Sequence, residues 1–323
     1  MKNIIYFGSA GTGKTTKAIE EAVKIVGNSG DFKELSTKYD NHNEFENLSK
    51  KDFDQKQEIY PLIEFITFHP NYSYQEFIEG IRANKNGSFD VVDGIFKKIS
   101  ERALNNQDYD YVLIIDEINR GDIASIFGEF FTLLEENRRV GEKGEINISL
   151  PYSTNQKLEV PKNLHIIATM NNVDKSISLI DIALRRRFEF VELKPDYTIL
   201  GKIGKIDLSK LLEKLNKRIV LLKNEHYQLG HSYFLNLKNF TELQKVIITK
   251  IIPLLQEYFY EDWKSICAVL NQSYENGGGI LELVEIDNNL FLPEFEDFVE
   301  NSNRKVFKVN EGFSESAVVK IYN

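Results

Sequence analysis

The chain has 323 residues, with 40 basic against 49 acidic side chains and a net charge of −9. That length suits one large or two ordinary domains, and that charge is a poor basis for wrapping nucleic acid unaided. The single cysteine, Cys267, excludes an internal disulfide and a cysteine-based metal site.

No secretory h-region precedes the first apolar run. No apolar stretch reaches the roughly 18 residues that a membrane span needs. The expectation is a cytoplasmic protein that does not enter a membrane.

Ile4-Ile5-Tyr6-Phe7 reads as a strand and Lys17 to Val26 as a helix. Between them runs Gly8-Ser9-Ala10-Gly11-Thr12-Gly13-Lys14-Thr15-Thr16, a match to G-x-x-x-x-G-K-[ST] in strand–turn–helix context. The glycines free the backbone to approach an anion, and the N–H groups of the loop and helix start then face it. Gly8, Ala10, Gly11, Thr12, Gly13, Lys14, Thr15 and Thr16 are therefore expected to cradle a nucleoside triphosphate. Lys14 would neutralise the β- and γ-phosphates, and Thr15 would ligate Mg²⁺.

Residues 28–60 are rich in Lys, Asp, Glu and Asn and read as a solvated, variable insertion. Ile63 to Phe68 alternates as a strand, Gln75 to Ile81 reads as a short helix, Asn84 to Gly87 as a turn, and Gly94 to Asn105 as an amphipathic helix. Tyr111-Val112-Leu113-Ile114-Ile115 is a continuous apolar run, as a parallel strand covered on both faces requires. It ends in Asp116-Glu117, at the strand end where open α/β sheets bind ligands. Asp116 is expected to hold Mg²⁺, and Glu117 to polarise the attacking water.

Ile123 to Glu136 reads as one helix with Phe127, Phe130, Phe131 and Leu134 on its apolar face. Residues 141–161 read as a hairpin. Asn163 to Met170 is a further buried strand ending in Asn171, a polar group suited to orienting water. Ile177 to Arg187 reads as a helix closing in Arg185-Arg186-Arg187, and Phe188 to Leu193 as the last strand of the sheet. Three arginines exceed what capping a helix C-terminus asks for. Set at the far end of that helix, they suit action on a neighbour's γ-phosphate in a ring.

A domain boundary is expected near Asp196. Residues 1–196 form the nucleotide-binding domain, and 197–323 a Leu/Lys-rich helical lid plus a short mixed C-terminal segment. The lid helices are expected over Leu208–Asn224, Leu237–Ile251 and Ile252–Leu270. Gly277-Gly278-Gly279 then breaks the pattern, and 280–323 read as short strands and turns. The fold class is α/β: a P-loop parallel sheet with an additional strand, flanked by helices.

Four stretches carry a resemblance. Thr67 to Arg82 (TFHPNYSYQEFIEGIR), Ile114 to Gly121 (IIDEINRG), Met170 to Ser176 (MNNVDKS) and Ala183 to Phe188 (ALRRRF) are similar to the motor domain of McrB-type restriction proteins. These are AAA+ NTPases, typically using GTP. Gln228 to Phe234 (QLGHSYF) resembles the family's lid motif. The resemblance implies that Asn171 and Asp174 position water, that Arg186 and Arg187 act as fingers on the neighbouring copy, and that His231 and Ser232 approach the nucleotide. It also implies a homo-oligomeric ring, a hexamer, working with a McrC-like nuclease subunit on DNA.

This sequence departs from the family pattern at Asn172-Val173 and Lys175. The family's N-terminal DNA-reading domain has no counterpart before Met1, so DNA would be met through a separate or missing domain. No nuclease constellation is legible, so no nuclease activity is expected of this chain. Two rivals stay open at this point. The Asp116-to-Arg120 string is shared with MoxR-like ATP-dependent chaperones that remodel proteins, and a small-molecule kinase would also carry the phosphate loop. The choice between GTP and ATP rests on the resemblance alone.

Overall fold

The computed structural model describes residues 2–28, 62–173, 182–260, 262–284 and 305–323. The expected insertion beyond Asn28 and the family-signature residue Asp174 lie outside the described residues. The chain divides into two compact units: Met1–Gly8 with Gly13–Leu193, and Ser9–Thr12 with Lys194–Asn323.

The first unit is built on five parallel strands: β1 (Asn3–Gly8), β2 (Ile63–Thr67), β5 (Tyr111–Asp116), β8 (Leu164–Asn171) and β9 (Glu189–Glu192). Their order is β2-β5-β8-β1-β9. Strand β8 is inserted between β1 and β5, which is the additional-strand arrangement read from the sequence. Ile5, Val112 to Ile115 and Ile166 to Ala168 are fully buried, which accounts for the unbroken apolar runs. Helix α1 (Lys14–Asn28) covers the sheet with Ala18, Ala22, Val23 and Val26.

Two hairpins stand on this frame. Strands β3 (Glu79–Ala83) and β4 (Phe89–Asp93) pair antiparallel, as do β6 (Ile148–Ser149) and β7 (Lys157–Leu158). The second hairpin matches the one expected over 141–161. The first corrects the expected helix over Gln75–Ile81: α2 covers only Tyr74–Phe77, and the chain then enters β3. Helical spacing put Ile81 on the buried face beside Phe77 and Ile78. In the hairpin it points outward and is 47 % exposed. Paired with Val91, and with Ala83 opposite Phe89, it forms an outward apolar face.

Inside the base of that hairpin Glu79 is fully buried. Its Oε1 accepts from the N–H groups of Tyr152 (2.8 Å) and Ser153 (3.1 Å), in the loop joining β6 to β7. Lys97, on α3 (Ile95–Asn105), stands 3.6 Å from the other oxygen and donates to Asp93 (2.5 Å) and Gln156 (2.6 Å).

The expected helix over 123–136 is also corrected. Helix α4 spans only Ile123–Phe127, and a 3₁₀ segment follows over Gly128–Leu134. Gly128 adopts φ +49°, which ends the α-helix, and a Cβ there would press on the Tyr74 ring at 3.2 Å. Phe127, Phe130 and Leu134 are buried all the same, because the apolar spacing survives the change of helix type. Helix α5 is described over Ile182–Arg187.

In the second unit, α6 (Leu208–Leu222) buries Leu211, Leu212, Leu215 and Ile219. Helix α7 (Phe240–Val246) runs through a π-helical turn, Ile247–Ile251, into α8 (Ile252–Phe259). The wider turn precedes Pro253, whose ring would otherwise meet the carbonyl one turn back. The helix expected over Ile252–Leu270 is two helices. Tyr260 ends α8 with φ 51°, and α9 (Trp263–Val269) restarts on Asp262, whose side chain caps it.

Beyond the glycines, β10 (Leu281–Val284) pairs with β11 (Val306–Val309). The expectation of only strands and turns there is corrected by a terminal helix, α10 (Glu315–Tyr322), which packs on α6. The Tyr322 hydroxyl accepts from Asp207 N at 3.1 Å. Among the described residues no helix is long and apolar enough to cross a membrane.

Replacing Lys97 by Met leaves the Glu79 carboxylate buried without its cation, a change that costs about 3–5 kcal/mol in comparable pairs. Thermal unfolding of Lys97→Met should show a clearly lowered midpoint, partly restored in Lys97→Met/Glu79→Gln. An unchanged midpoint in the single variant would mean that the pair contributes no stability.

Candidate nucleotide-binding site

The sheet brings three strand ends to one edge. Gly8, which ends β1, lies beside Asn171, which ends β8, and Asn172 N donates to Gly8 O at 3.1 Å. Gly11 and Gly13 hold φ +80° and +79°, conformations that a side chain resists. Thr12 Oγ1 donates to Ser9 O at 3.0 Å, fixing the loop tip, and Lys17 N closes the first helical turn on Gly13 O at 2.9 Å. Lys14 Nζ donates to Gly8 O at 3.1 Å, so its ammonium arches over the loop it belongs to. Ala10 and Thr16 flank this segment, Ala10 in the loop tip and Thr16 in the first turn of α1.

On the neighbouring strand Asp116 Oδ1 accepts from two hydroxyls, Thr15 Oγ1 at 2.9 Å and Thr169 Oγ1 at 2.6 Å. Thr169 also accepts from the backbone N–H of Glu117 at 3.1 Å. One buried hydroxyl thus aims the aspartate and fixes the main chain of the glutamate. Glu117 sits at φ 53°, uncommon for a residue with a Cβ. Its carboxylate lies 3.4 Å from Arg120 Nε. Such strain, held by surrounding bonds, is a mark of functional positions.

A divalent cation suits this donor set. Thr15 and Asp116 present hard oxygens within hydrogen-bond distance of each other, and Mg²⁺ usually takes few protein oxygens and keeps several waters. Asn171 Oδ1 is buried and has no hydrogen-bond partner among the described residues. An unfilled acceptor at the end of β8, level with Gly8, is what a residue awaiting a ligand or water presents.

The lid residues belong to the second unit. There Gly230 N donates to Ala10 O and Ser232 N to Gly11 O, each at 3.0 Å. A Cβ on Gly230 would fall 2.0 Å from Gly11 backbone atoms, so nothing larger fits. Ser232 thus meets the loop through its backbone. His231 Nδ1 accepts from Asp196 N at 3.0 Å, and burial pushes the ring below the usual histidine pKa, with Asp196 opposing. That bond uses Nδ1 of the imidazole.

The three arginines have separate surroundings. Arg185 lies over the Phe190 ring at 5.2 Å. Arg187 donates to Glu135 at 2.6 Å and stacks over Phe131 at 4.6 Å. Arg186 is exposed and lines an open cleft of about 790 Å³ with Lys2, Glu135, Glu142 and Glu189. Arg186 and Arg187 lie at the amino end of β1: both line the cleft with Lys2 and Asn3, and Asn3 Nδ2 donates to Arg187 O at 3.1 Å.

Family comparison agrees with this anatomy. Residues 62–188 match the model of the AAA domain, dynein-related subfamily, and residues 207–267 match the model of the McrB alpha-helical lid domain. The chain is 33 % identical over 221 residues to the type IV methyl-directed restriction enzyme EcoKMcrB subunit of Escherichia coli (strain K12). It is a McrB-type AAA+ protein. That alignment covers 62 % of this chain and 48 % of the relative. A second relative, the type II restriction enzyme BsuMI component YdiS of Bacillus subtilis (strain 168), is 27 % identical over 232 residues, covering 60 % of this chain and 58 % of that protein. The chain spans about half the length of the curated relatives it matches.

Of the residues bonded at the strand ends, sequence reasoning missed Thr169. Its signal was a lone hydroxyl in the apolar run Ile166 to Met170. Thr169→Val keeps the shape and removes the hydroxyl, so Mg²⁺-dependent nucleotide affinity should fall roughly 10- to 100-fold, as for other residues that orient a metal ligand. Thr169→Ser should retain most of it. Titration with a fluorescent nucleotide at varied Mg²⁺ reads this directly, and equal affinities for the two variants would remove Thr169 from the site.

Proposed function

We propose that this McrB-type chain hydrolyses GTP or ATP in a hexameric ring of copies. The energy released drives movement on DNA and activates a separate nuclease subunit of a restriction complex. Both relatives' names describe a subunit or component of a restriction enzyme, which favours this setting over the chaperone and kinase readings. GTP is preferred to ATP on the family resemblance.

Within one copy, the loop N–H groups and Lys14 bind the phosphates. Glu117 accepts the proton of the attacking water, and Asn171 orients that water through its open oxygen. Bound Mg²⁺, held by Thr15 and Asp116, would supply charge neutralisation at the phosphates. Asp174 joins Asn171 in the family's signature.

The observation that carries the assembly requirement is the hydrogen bond from Asn3 to Arg187 O. It ties the arginines to the amino end of β1, whereas the phosphate loop leaves its carboxyl end at Gly8. Five strand intervals separate those ends by about 17 Å, further than an arginine side chain extends. The chain's own γ-phosphate is out of range, so the arginines serve an adjacent copy. Arg186 is the free finger, while Arg187 is held by Glu135 and Phe131 and shapes the segment from within.

Initial rates with GTP and with ATP, alone and with the neighbouring-gene protein, test the activity. Glu117→Gln should bind nucleotide normally and turn over roughly 10²- to 10⁴-fold more slowly. Mixing Lys14→Ala chains, which lack a working phosphate loop, with Arg186→Ala chains should restore hydrolysis that neither shows alone. A mixture no more active than its parts would rule out action between copies.

A further inference from the structure

Among the described residues Arg139 is the bulkiest fully buried side chain, and neither the phosphate site nor the lid uses it. Its guanidinium donates to the carbonyls of Pro161 (3.0 Å) and Leu164 (2.5 Å) and to Asn3 Oδ1 (3.1 Å). Burial pushes its pKa down to about 9, so it remains a cation at neutral pH. A buried cation satisfied by carbonyls rather than a carboxylate is costly to fold around.

Asn3 forwards that anchorage. Its amide oxygen faces Arg139, and its amide NH₂ donates to Leu134 O at 2.9 Å and to Arg187 O at 3.1 Å. Both carbonyls flank the finger segment. Leu134 precedes Glu135, the carboxylate that holds Arg187, and Arg187 follows Arg186. A chain of three hydrogen bonds therefore runs from Leu164 O, at the start of β8, through Arg139 and Asn3 to Arg187 O, at the end of α5. Asn suits the middle position because it is one acceptor and two donors on a planar group. Leu, Val or Ile, which the strand pattern would otherwise favour there, can make none of these bonds.

We propose that Asn3, seated on Arg139, is a positioning residue for Arg186: it fixes the main chain that aims this finger at the neighbouring copy's nucleotide. The inference rests on the reading of Arg186 as a finger acting between copies. Displacing a transition-state group by about an ångström can cost on the order of 100-fold in rate, so the anchor acts on turnover rather than on binding.

The test uses the full chain and the mixed assembly, with GTP and ATP both assayed. Lys14→Ala chains donate the finger and Arg186→Ala chains carry the working site. Asn3→Asp is introduced first into the donor and, separately, into the acceptor. This variant keeps an oxygen for Arg139, which guards folding, and removes both donated bonds. Hydrolysis should fall roughly 10- to 100-fold when the change is in the donor and stay within about twofold when it is in the acceptor. Nucleotide affinity of the Asn3→Asp chain with Lys14 intact should be unchanged. Asn3→Ala, which breaks the link to Arg139 as well, should lose at least as much in the donor arm.

Equal losses in both arms would reduce Asn3 to a general structural role. No loss in the donor arm would overturn the proposal while leaving the finger reading intact. An inactive mixture of the two parent chains would sink the finger reading, and the positioning role with it.

Discussion

A parallel sheet sends every carboxyl end to the same edge, and the remaining chemistry of this protein depends on that constraint. Gly8, Asp116 and Asn171 are far apart in the chain but terminate β1, β5 and β8. Parallel pairing brings these termini together, and Thr169, one turn of the pleat before the end of β8, reaches across to fix Asp116. The same rule sends the amino ends elsewhere. Arg187 therefore cannot share an edge with the phosphate loop that precedes it by so much sequence. Separation of the two charges follows from strand direction alone.

The fold was legible where one-dimensional patterns match local physics. Continuous apolar runs identified the buried strands because both faces of this sheet are covered. The glycine-rich loop was legible because Gly11 and Gly13 occupy conformations that only such residues take readily. The misreadings have separate causes. Over Gln75–Ile81 the helical spacing was real, yet the buried pairing of Glu79 with Lys97 and the neighbouring hairpin overrode it. Over 123–136 the same apolar period was satisfied by a tighter helix once Gly128 had turned the backbone. The terminal helix Glu315–Tyr322 escaped notice because eight residues carry too little periodicity to outvote the glycines and strands before it.

At the candidate site, the groups that would touch phosphate directly were readable from motif and spacing. The groups that hold them were not. Thr169 sits within an apolar strand run, and neither Asn3 nor Arg139 belongs to any of the motifs. Each owes its place to partners distant in the chain: Asp116 for the first, Arg187 for the second, Pro161 and Leu164 for the third. His231, singled out by motif, also meets a partner distant in the chain, its Nδ1 accepting from the Asp196 N–H.

The clamp at the base of the two hairpins has a mechanical consequence. Glu79 grips two main-chain N–H groups of the β6–β7 loop while its own hairpin carries the outward face of Ile81 and Val91. Two hydrogen bonds and a buried ion pair thus join the bases of the two hairpins to each other and to α3.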